Sequence, residues 1–463
     1  MKASLQAVIV GAGPAGVRAA QTLATHGVRP VVIDEAPRCG GQIYRQPPAG
    51  FTRSSRTLYG FEAGPADALH TAMAGILDRV DYRPGTLVWN AEGGQLDLLS
   101  GGKMSTEPYG QLIVATGATD RVLPFPGWTL PGVFTLGAAQ VALKYQGCSI
   151  GSRVVFAGTG PLLYLIAYQY AKAGAKVVAV LDTGSFRDKF SAVPAMLRQP
   201  AVLAKGLYYL AWLRAHGISV HEGVQLVQAT GVTRATGMRW RSGRGEQELN
   251  CDAVGFGYAL RSETQLADLL GCRFSYSHLQ RAALPERDAA GRSSVPGVYL
   301  AGDGAGIMGA EAAEWAGERA ALALLEDSGR PVDATHASRA ATLESRLAHI
   351  AIFRKGLERA FPFPVDWAIK APDELVVCRC EGITAGELRQ CALDTGAREM
   401  NRLKALTRLG MGRCQGRTCG LAAAEILAHA CGTSPESVGR LRGQAPIKPL
   451  PFAAMVQANG DAR

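Results

Sequence analysis

Two pairs of cysteines are the residues whose spacing best suits them to chemistry. Cys378-Arg379-Cys380 sets two thiolates two residues apart, on one side of an extended segment, where both can reach one iron. Cys414-Gln415-Gly416-Arg417-Thr418-Cys419 supplies a second pair, and Gly410, Gly412, Gly416 and Gly420 suit a loop folded tightly about a metal centre. Backbone N–H groups together with Arg413 or Arg417 would offset the charge of four thiolates. Structural zinc accepts the same ligands, although it more often takes a wider first pair. Colour separates the two metals.

The second chemistry is nucleotide binding. Gly11, Gly13 and Gly16, with Pro14 and Ala15 between the last two, fill a G-x-G-x-x-G turn. In such a turn the first glycine makes the bend, the second admits a diphosphate, and the third lets helix and strand touch. The helix that follows offers unpaired N–H groups and a positive dipole end. Asp34, followed by Glu35, closes the next strand where a carboxylate can hold an adenosine ribose. A second copy, Gly158-Thr159-Gly160-Pro161-Leu162-Leu163, puts leucine at the third glycine position, which predicts a looser helix–strand contact. Asp182 ends its next strand and no arginine pair follows, so NADP is disfavoured. NAD or another adenine nucleotide, and a fold kept only for packing, both stay open there.

The elements that must position these residues follow from the pattern. AVIVGAG, an alanine-rich helix and PVVID make one strand–turn–helix–strand unit over 5–35, and RVVFAGTG to KVVAVLD make another over 151–182. QLIVATGA at 111–118, CDAVGFGYAL at 251–260 and VYLAGDGAG from Val298 read as further strands. Their order predicts a pair of doubly wound α/β domains, with 1–118 and 250–330 forming one and 119–249 inserted as the other. A connector, 331–377, carries one amphipathic helix striped by Leu343, Leu347, Ile350, Phe353 and Leu357, and ends at FPFPVDW. A small module of short helices occupies 378–450, where Thr384 with Glu387 fits a capping box and Ser434-Pro435 reads as a helix cap.

Composition bounds the remaining classes. The 463 residues are 47% hydrophobic and include 56 glycines without a fixed period, which fits a multidomain globular chain with ligand-hugging turns. The net charge of +10 comes from scattered arginines with no basic block, which argues against nucleic acid and for anionic cofactors or an acidic partner. No stretch is long and apolar enough to span a bilayer, while peripheral contact with one stays open. The N-terminus runs straight into a strand with no room for an export signal, so a cytoplasmic location is expected. Cys39 has no Cys-x-x-Cys partner, which excludes disulfide reductase chemistry. Cys391 and Cys431 read as packed, and Cys148, Cys251 and Cys272 lack metal spacing.

QLIVATGA and VYLAGDGAG, combined with the first glycine turn, closely resemble the signatures of two-dinucleotide-fold flavoproteins of the glutathione reductase type. That resemblance implies FAD, held by the first turn, by Ala115, Thr116 and Gly117, and by Gly302 and Asp303. Asp303 would bond the ribityl or diphosphate portion, and the helix after Gly309 would point at the pyrimidine edge of the flavin. Gly41 and Gln42 resemble the loop beside the flavin ring. Arg121 and Tyr258 are either flavin-side polar groups or packing residues. The C-x-C then C-x4-C pattern resembles the helical bacterioferritin-associated-ferredoxin-like domain, which implies a 2Fe-2S cluster on Cys378, Cys380, Cys414 and Cys419.

Together with GGQIYRQPP, TLYGFEAG, ATGATDRVLPFPGWTLPGV and GTGPLLYLIAYQYAKAGA, these motifs are similar, over about 5–450, to the larger accessory flavoprotein of opine oxidases, D-hydroxyproline dehydrogenases and bacterial hydrogen cyanide synthase. The resemblance implies a D-amino-acid-oxidase-type partner subunit that oxidises the substrate, an FMN at the interface, a small ferredoxin-like third subunit, and a quinone or respiratory acceptor. No acid–base constellation for a substrate is apparent in this chain. Two rivals remain: an autonomous NADH-dependent reductase, and a non-catalytic scaffold.

Overall fold

The computed structural model describes residues 6–48, 50–51, 53–330 and 334–454; the first five residues and the start of the predicted connector at 331–333 lie outside them. A five-stranded parallel sheet runs in the order Val298–Leu300, Gln111–Val114, Ala7–Val10, Val31–Ile33, Asp81–Arg83. Its central strand AVIV is buried along its whole length, as expected of a parallel strand covered on both faces. Register places Ile9 between Val32 and Ile113, and Tyr299 beside Ile113. The helices Pro14–Thr25 and Ala310–Asp327 cross in close contact, because Gly317 lies so near the first helix that a Cβ there would stand 2.0 Å from the Ala15 carbonyl oxygen.

The second five-stranded sheet has the order Ser219–Glu222, Lys176–Asp182, Arg153–Thr159, Ala253–Tyr258, Val133–Thr135. Ala253–Tyr258 therefore belongs to the inserted unit, whereas the order of the motifs predicts it in the first. The reason is packing: all six residues are buried, and the strand pairs on both sides with strands of the second sheet. The chain returns to the first unit just afterwards, where Leu260–Ser262 pairs antiparallel with Ala118–Asp120 as a two-stranded link. Helices Phe186–Met196 and Pro200–Ala215 of this unit turn Phe186, Phe190 and Leu207 outward, and Leu197 between them is exposed as well.

The connector helix spans Ala334–Ala360 and buries Leu343, Ile350, Phe353 and Leu357 as its stripe requires, with Leu347 partly buried. The C-terminal module packs the helices Ala385–Thr395, Met400–Thr407 and Gly420–Ala430 around Leu388, Leu403 and Ile426. Thr384 and Glu387 form the expected capping box. Ser434 caps only a turn, its Oγ accepting from the Ser437 N–H, and no helix starts at Pro435. This module shares one core with the inserted unit, which includes Trp128, Phe256, Val377 and Leu427. Two indoles pin that junction: Trp128 Nε1 donates to the Val376 carbonyl at 2.7 Å and Trp367 Nε1 to the Pro124 carbonyl at 2.8 Å. No helix among the described residues is long and apolar enough to cross a membrane.

Candidate functional site

The first glycine turn is sterically fixed. Gly11 has φ +106° and a Cβ there would sit 2.3 Å from the Ala115 carbonyl oxygen, while one on Gly16 would sit 1.7 Å from the Gly11 carbonyl oxygen. Gly13 lies against Gly41, so the 40–45 loop closes over the turn, held by the Gly40 N–H to the Ala12 carbonyl at 2.8 Å. The N–H groups at the start of the Pro14–Thr25 helix receive no side-chain cap, which leaves them for an anion. Asp34 is engaged locally: its carboxylate accepts from the N–H groups of Ala12 at 2.5 Å and Ala36 at 2.6 Å. Burial raises its pKa against those two hydrogen bonds. Asp34 therefore shapes the turn, while Glu35 beside it is half-exposed and pairs with Lys448 at 2.8 Å.

The other residues expected at the nucleotide converge on the same edge. Gly302 has φ +69° and packs on Ala15, and Gly304 packs on Thr116. Asp303 Oδ1 accepts from the N–H groups of Met308 at 2.8 Å and Gly309 at 3.1 Å, which sets the entry angle of the Ala310–Asp327 helix. Ala115, Thr116 and Gly117 follow the strand Gln111–Val114 beside them. Gln42 lies on the closing loop, within hydrogen-bond reach of Arg45. Arg121 and Tyr258 are buried together, with Arg121 Nε donating to the Tyr258 carbonyl at 2.5 Å; both serve the junction between units.

At the second glycine turn the strand-ending carboxylate is engaged by the chain's own groups. Asp182 is 0% exposed and accepts from Thr159 Oγ1 at 2.9 Å, Tyr164 OH at 2.6 Å and the Gly184 N–H at 2.8 Å, with Lys189 Nζ at 2.7 Å. Phe361, just past the connector helix, leans on Tyr164 at a ring separation of 6.3 Å. A ribose has no oxygen of this carboxylate left to bond, so Asp182 is not available as a ribose anchor. Leu163, expected to loosen the contact, is fully buried in the core of this unit. NADH is accordingly expected neither to bleach the flavin nor to bind measurably by calorimetry. Saturable reduction at submillimolar NADH would contradict this reading.

The four cysteines are brought together in one place. The Cys419 thiol lies beside those of Cys378 and Cys414, and the Cys380 thiol beside that of Cys414. The bond from Cys419 brings the Cys378 thiol down to about 6 against burial, helped by the N–H groups of Gly410, Glu381 and Cys380. The bond from Cys419 likewise brings Cys414 down to about 4, helped by the Thr418 N–H. Gly412 allows the approach, since a Cβ there would meet Cys380 Cβ at 2.3 Å. Among the described residues no group of three or more His, Cys, Asp or Glu is arranged to hold a metal ion. The four thiols lie near one another, with backbone N–H groups directed at three of the sulfurs, and thiolates with such N–H donors are the ligand set that an iron–sulfur or a zinc centre would use. The other cysteines stay apart from it: Cys39, Cys251 and Cys272 are buried, Cys391 and Cys431 partly so, and Cys148 is exposed.

Residues that the motifs did not reveal join this loop to the nucleotide edge. Thr116 Oγ1 donates to the Glu263 carbonyl at 2.7 Å, and the Glu263 carboxylate accepts from Arg417 Nε at 2.6 Å and Nη2 at 3.2 Å. Arg261 and Gln265 donate to the carbonyls of Arg417 and Gln415 at 2.9 and 2.6 Å. No spacing rule could have found them, because they follow the strand that proved to belong to the other sheet.

Comparison with known proteins agrees with this architecture. Residues 5–320 match the pyridine nucleotide-disulphide oxidoreductase family, and 376–459 match the sarcosine oxidase A3 domain. The chain is 38% identical to the A subunit of opine oxidase from Rhizobium meliloti, covering 98% of this chain and 88% of the relative. It is 36% identical to hydrogen cyanide synthase subunit HcnB of Pseudomonas protegens, covering 97% of each. The fold is similar to L-proline dehydrogenase from P. horikoshii, with a TM-score of 0.71 at 17% identity over 97% of this chain and 79% of that one. With its first glycine turn intact and relatives that match it along nearly its whole length, the chain belongs to the family of flavoprotein oxidoreductase subunits that includes HcnB of hydrogen cyanide synthase and the A subunit of opine oxidase.

Proposed function

We propose that this chain is the electron-handling subunit of a heteromeric dehydrogenase for amino acids or opines, carrying FAD in the first nucleotide fold and a 2Fe-2S cluster on Cys378, Cys380, Cys414 and Cys419. The observation that supports this reading is the link from the four-cysteine loop through Glu263 to the Thr116–Gly117 edge, while the Asp182 carboxylate of the second fold is already engaged by the chain's own groups. FAD supplies two-electron chemistry and an iron–sulfur centre supplies one-electron chemistry. The chain's own residues supply placement. Gly11, Gly13 and Gly16 admit the diphosphate to the helix N-terminus, Asp303 orients the helix whose first turn faces the flavin, and Gly41 and Gln42 close the ring side.

Substrate oxidation then belongs to a D-amino-acid-oxidase-type partner subunit, with an FMN at the interface and a small ferredoxin-like third subunit completing the complex. A secondary amine of the opine type, glycine, or a cyclic imino acid is the substrate class, and a quinone is the acceptor, reached by peripheral contact of a cytoplasmic complex with the membrane. The similarity to the A subunits of two opine oxidases favours the opine branch.

The test is to copurify the chain with its partner and record visible and low-temperature EPR spectra before and after adding octopine, nopaline or glycine. Flavin bleaching with a rhombic iron–sulfur signal that requires both partner and substrate is the expected result. A chain reduced by substrate without the partner, or one containing zinc in place of iron, would sink the proposal.

A further inference from the structure

We propose that Arg261, Glu263 and Arg417 form a part-buried charge relay that couples the flavin edge to the cysteine loop and sets the reduction potential of the centre bound there. The inference rests on the reading of the four cysteines as an iron–sulfur site, and it concerns positioning residues.

The connection is short and complete. The Glu263 N–H donates to the Gly117 carbonyl at 2.9 Å and the Glu263 carbonyl accepts from Thr116 Oγ1, so this residue is clamped to the nucleotide edge through its backbone. Its carboxylate holds Arg417 in a two-point ion pair, with side chains 9% and 14% exposed. Arg417 sits inside the cysteine loop, and its Nη1 donates to the Ile447 carbonyl at 2.6 Å and reaches the Cys414 carbonyl at 3.5 Å. One residue thus carries backbone bonds to the flavin side and a side-chain bond to the metal side. A displacement of either loop moves the other.

The charges are unequal, and that inequality is informative. Glu263 already has its carboxylate committed to Arg417. Arg261 adds a second guanidinium, bonded to the Arg417 carbonyl at 2.9 Å, and it has no carboxylate within ion-pair distance among the described residues. A Cβ on Gly420, next to Cys419, would lie 4.0 Å from Arg261 Nη1. Burial disfavours its charge, which Glu263 and the thiols of Cys419 and Cys414 support. A part-buried cation with no ion-pair partner is costly unless an anion belongs beside it. A four-thiolate iron–sulfur centre carries net negative charge that grows by one on reduction, so the surplus cation at Arg261 favours the reduced form.

Opposite changes of charge should therefore give opposite shifts. In an EPR-monitored potentiometric titration of the full chain with its partner, Arg261→Gln is expected to lower the midpoint of the iron–sulfur signal and Glu263→Gln to raise it. Each shift should reach about 59 mV, equivalent to a tenfold change in a one-electron equilibrium. Arg261→Lys keeps the charge and should stay near the parent value, which also guards against a variant that fails to fold. Flavin and iron contents are measured alongside. Shifts of the same sign, or a common midpoint in all loaded variants, overturn the relay. Absence of iron from the parent chain overturns the reading beneath it.

Discussion

Gly16→Val should leave the chain without bound flavin, with loss of more than tenfold in visible flavin absorbance per protein. A Cβ at this position would stand 1.7 Å from the Gly11 carbonyl oxygen, a backbone atom of the strand-to-helix turn that cannot swing away. The helix must retreat, and its N–H groups then no longer face the diphosphate. The effect follows from shape rather than from general loss of glycine. Gly64, in the helix Ala63–Ala74, has nothing within 4 Å of its would-be Cβ, and Gly64→Ala should keep the flavin and add about 1 kcal/mol of stability. Flavin retention by the Gly16→Val protein would remove the argument for this turn as the cofactor cradle.

Cys414→Ser should abolish the iron–sulfur signal and lower iron to background while flavin content stays near that of the parent. Cys414 bonds to both Cys419 and Cys380 and is the thiol held lowest by its neighbours, so its loss breaks the row of four at its middle. The cradle formed by Gly11, Gly13, Gly16 and Asp303 does not include it. Partner-dependent reduction of the chain by substrate should fall by at least a hundredfold, on the order of what removal of an essential group costs. Cys391→Ser is the control, because Cys391 sits on a helix of the same module and contacts only Thr395 in the hydrogen-bond pattern. Equal iron loss in both variants would mean that the module is merely fragile.

Much of this was legible in the residues, for physical reasons that differ from place to place. Gly11, Gly13 and Gly16 are readable because each answers a local steric demand within one turn. The capping box at Thr384 and the stripe from Leu343 to Leu357 are local in the same sense. Asp34 was legible as important, but its carboxylate turns inward to Ala12 and Ala36, a choice set by burial that no spacing encodes. The engagement of Asp182 and Tyr164 was hidden because Lys189 arrives from a following helix and Phe361 from far along the chain. The assignment of Ala253–Tyr258 failed because an apolar parallel strand reads alike in either sheet. Arg261 and Glu263 meet Arg417 only through tertiary contact, across a separation for which sequence offers no periodicity.

The interleaving of the two sheets also bears on the order of events during synthesis. The first glycine turn emerges early, but the strand Val298–Leu300 and the helix whose Gly317 packs on Ala15 are made only after the whole inserted unit. Until then the first helix lacks its main neighbour and the flavin cradle lacks Asp303. A ribosome-bound chain can complete the inserted sheet only once Ala253–Tyr258 has appeared, and at that length it still lacks Val298–Leu300 and Asp303. Flavin capture through this turn is accordingly expected only of chains translated through their first two-thirds, and truncated products are expected to carry no flavin.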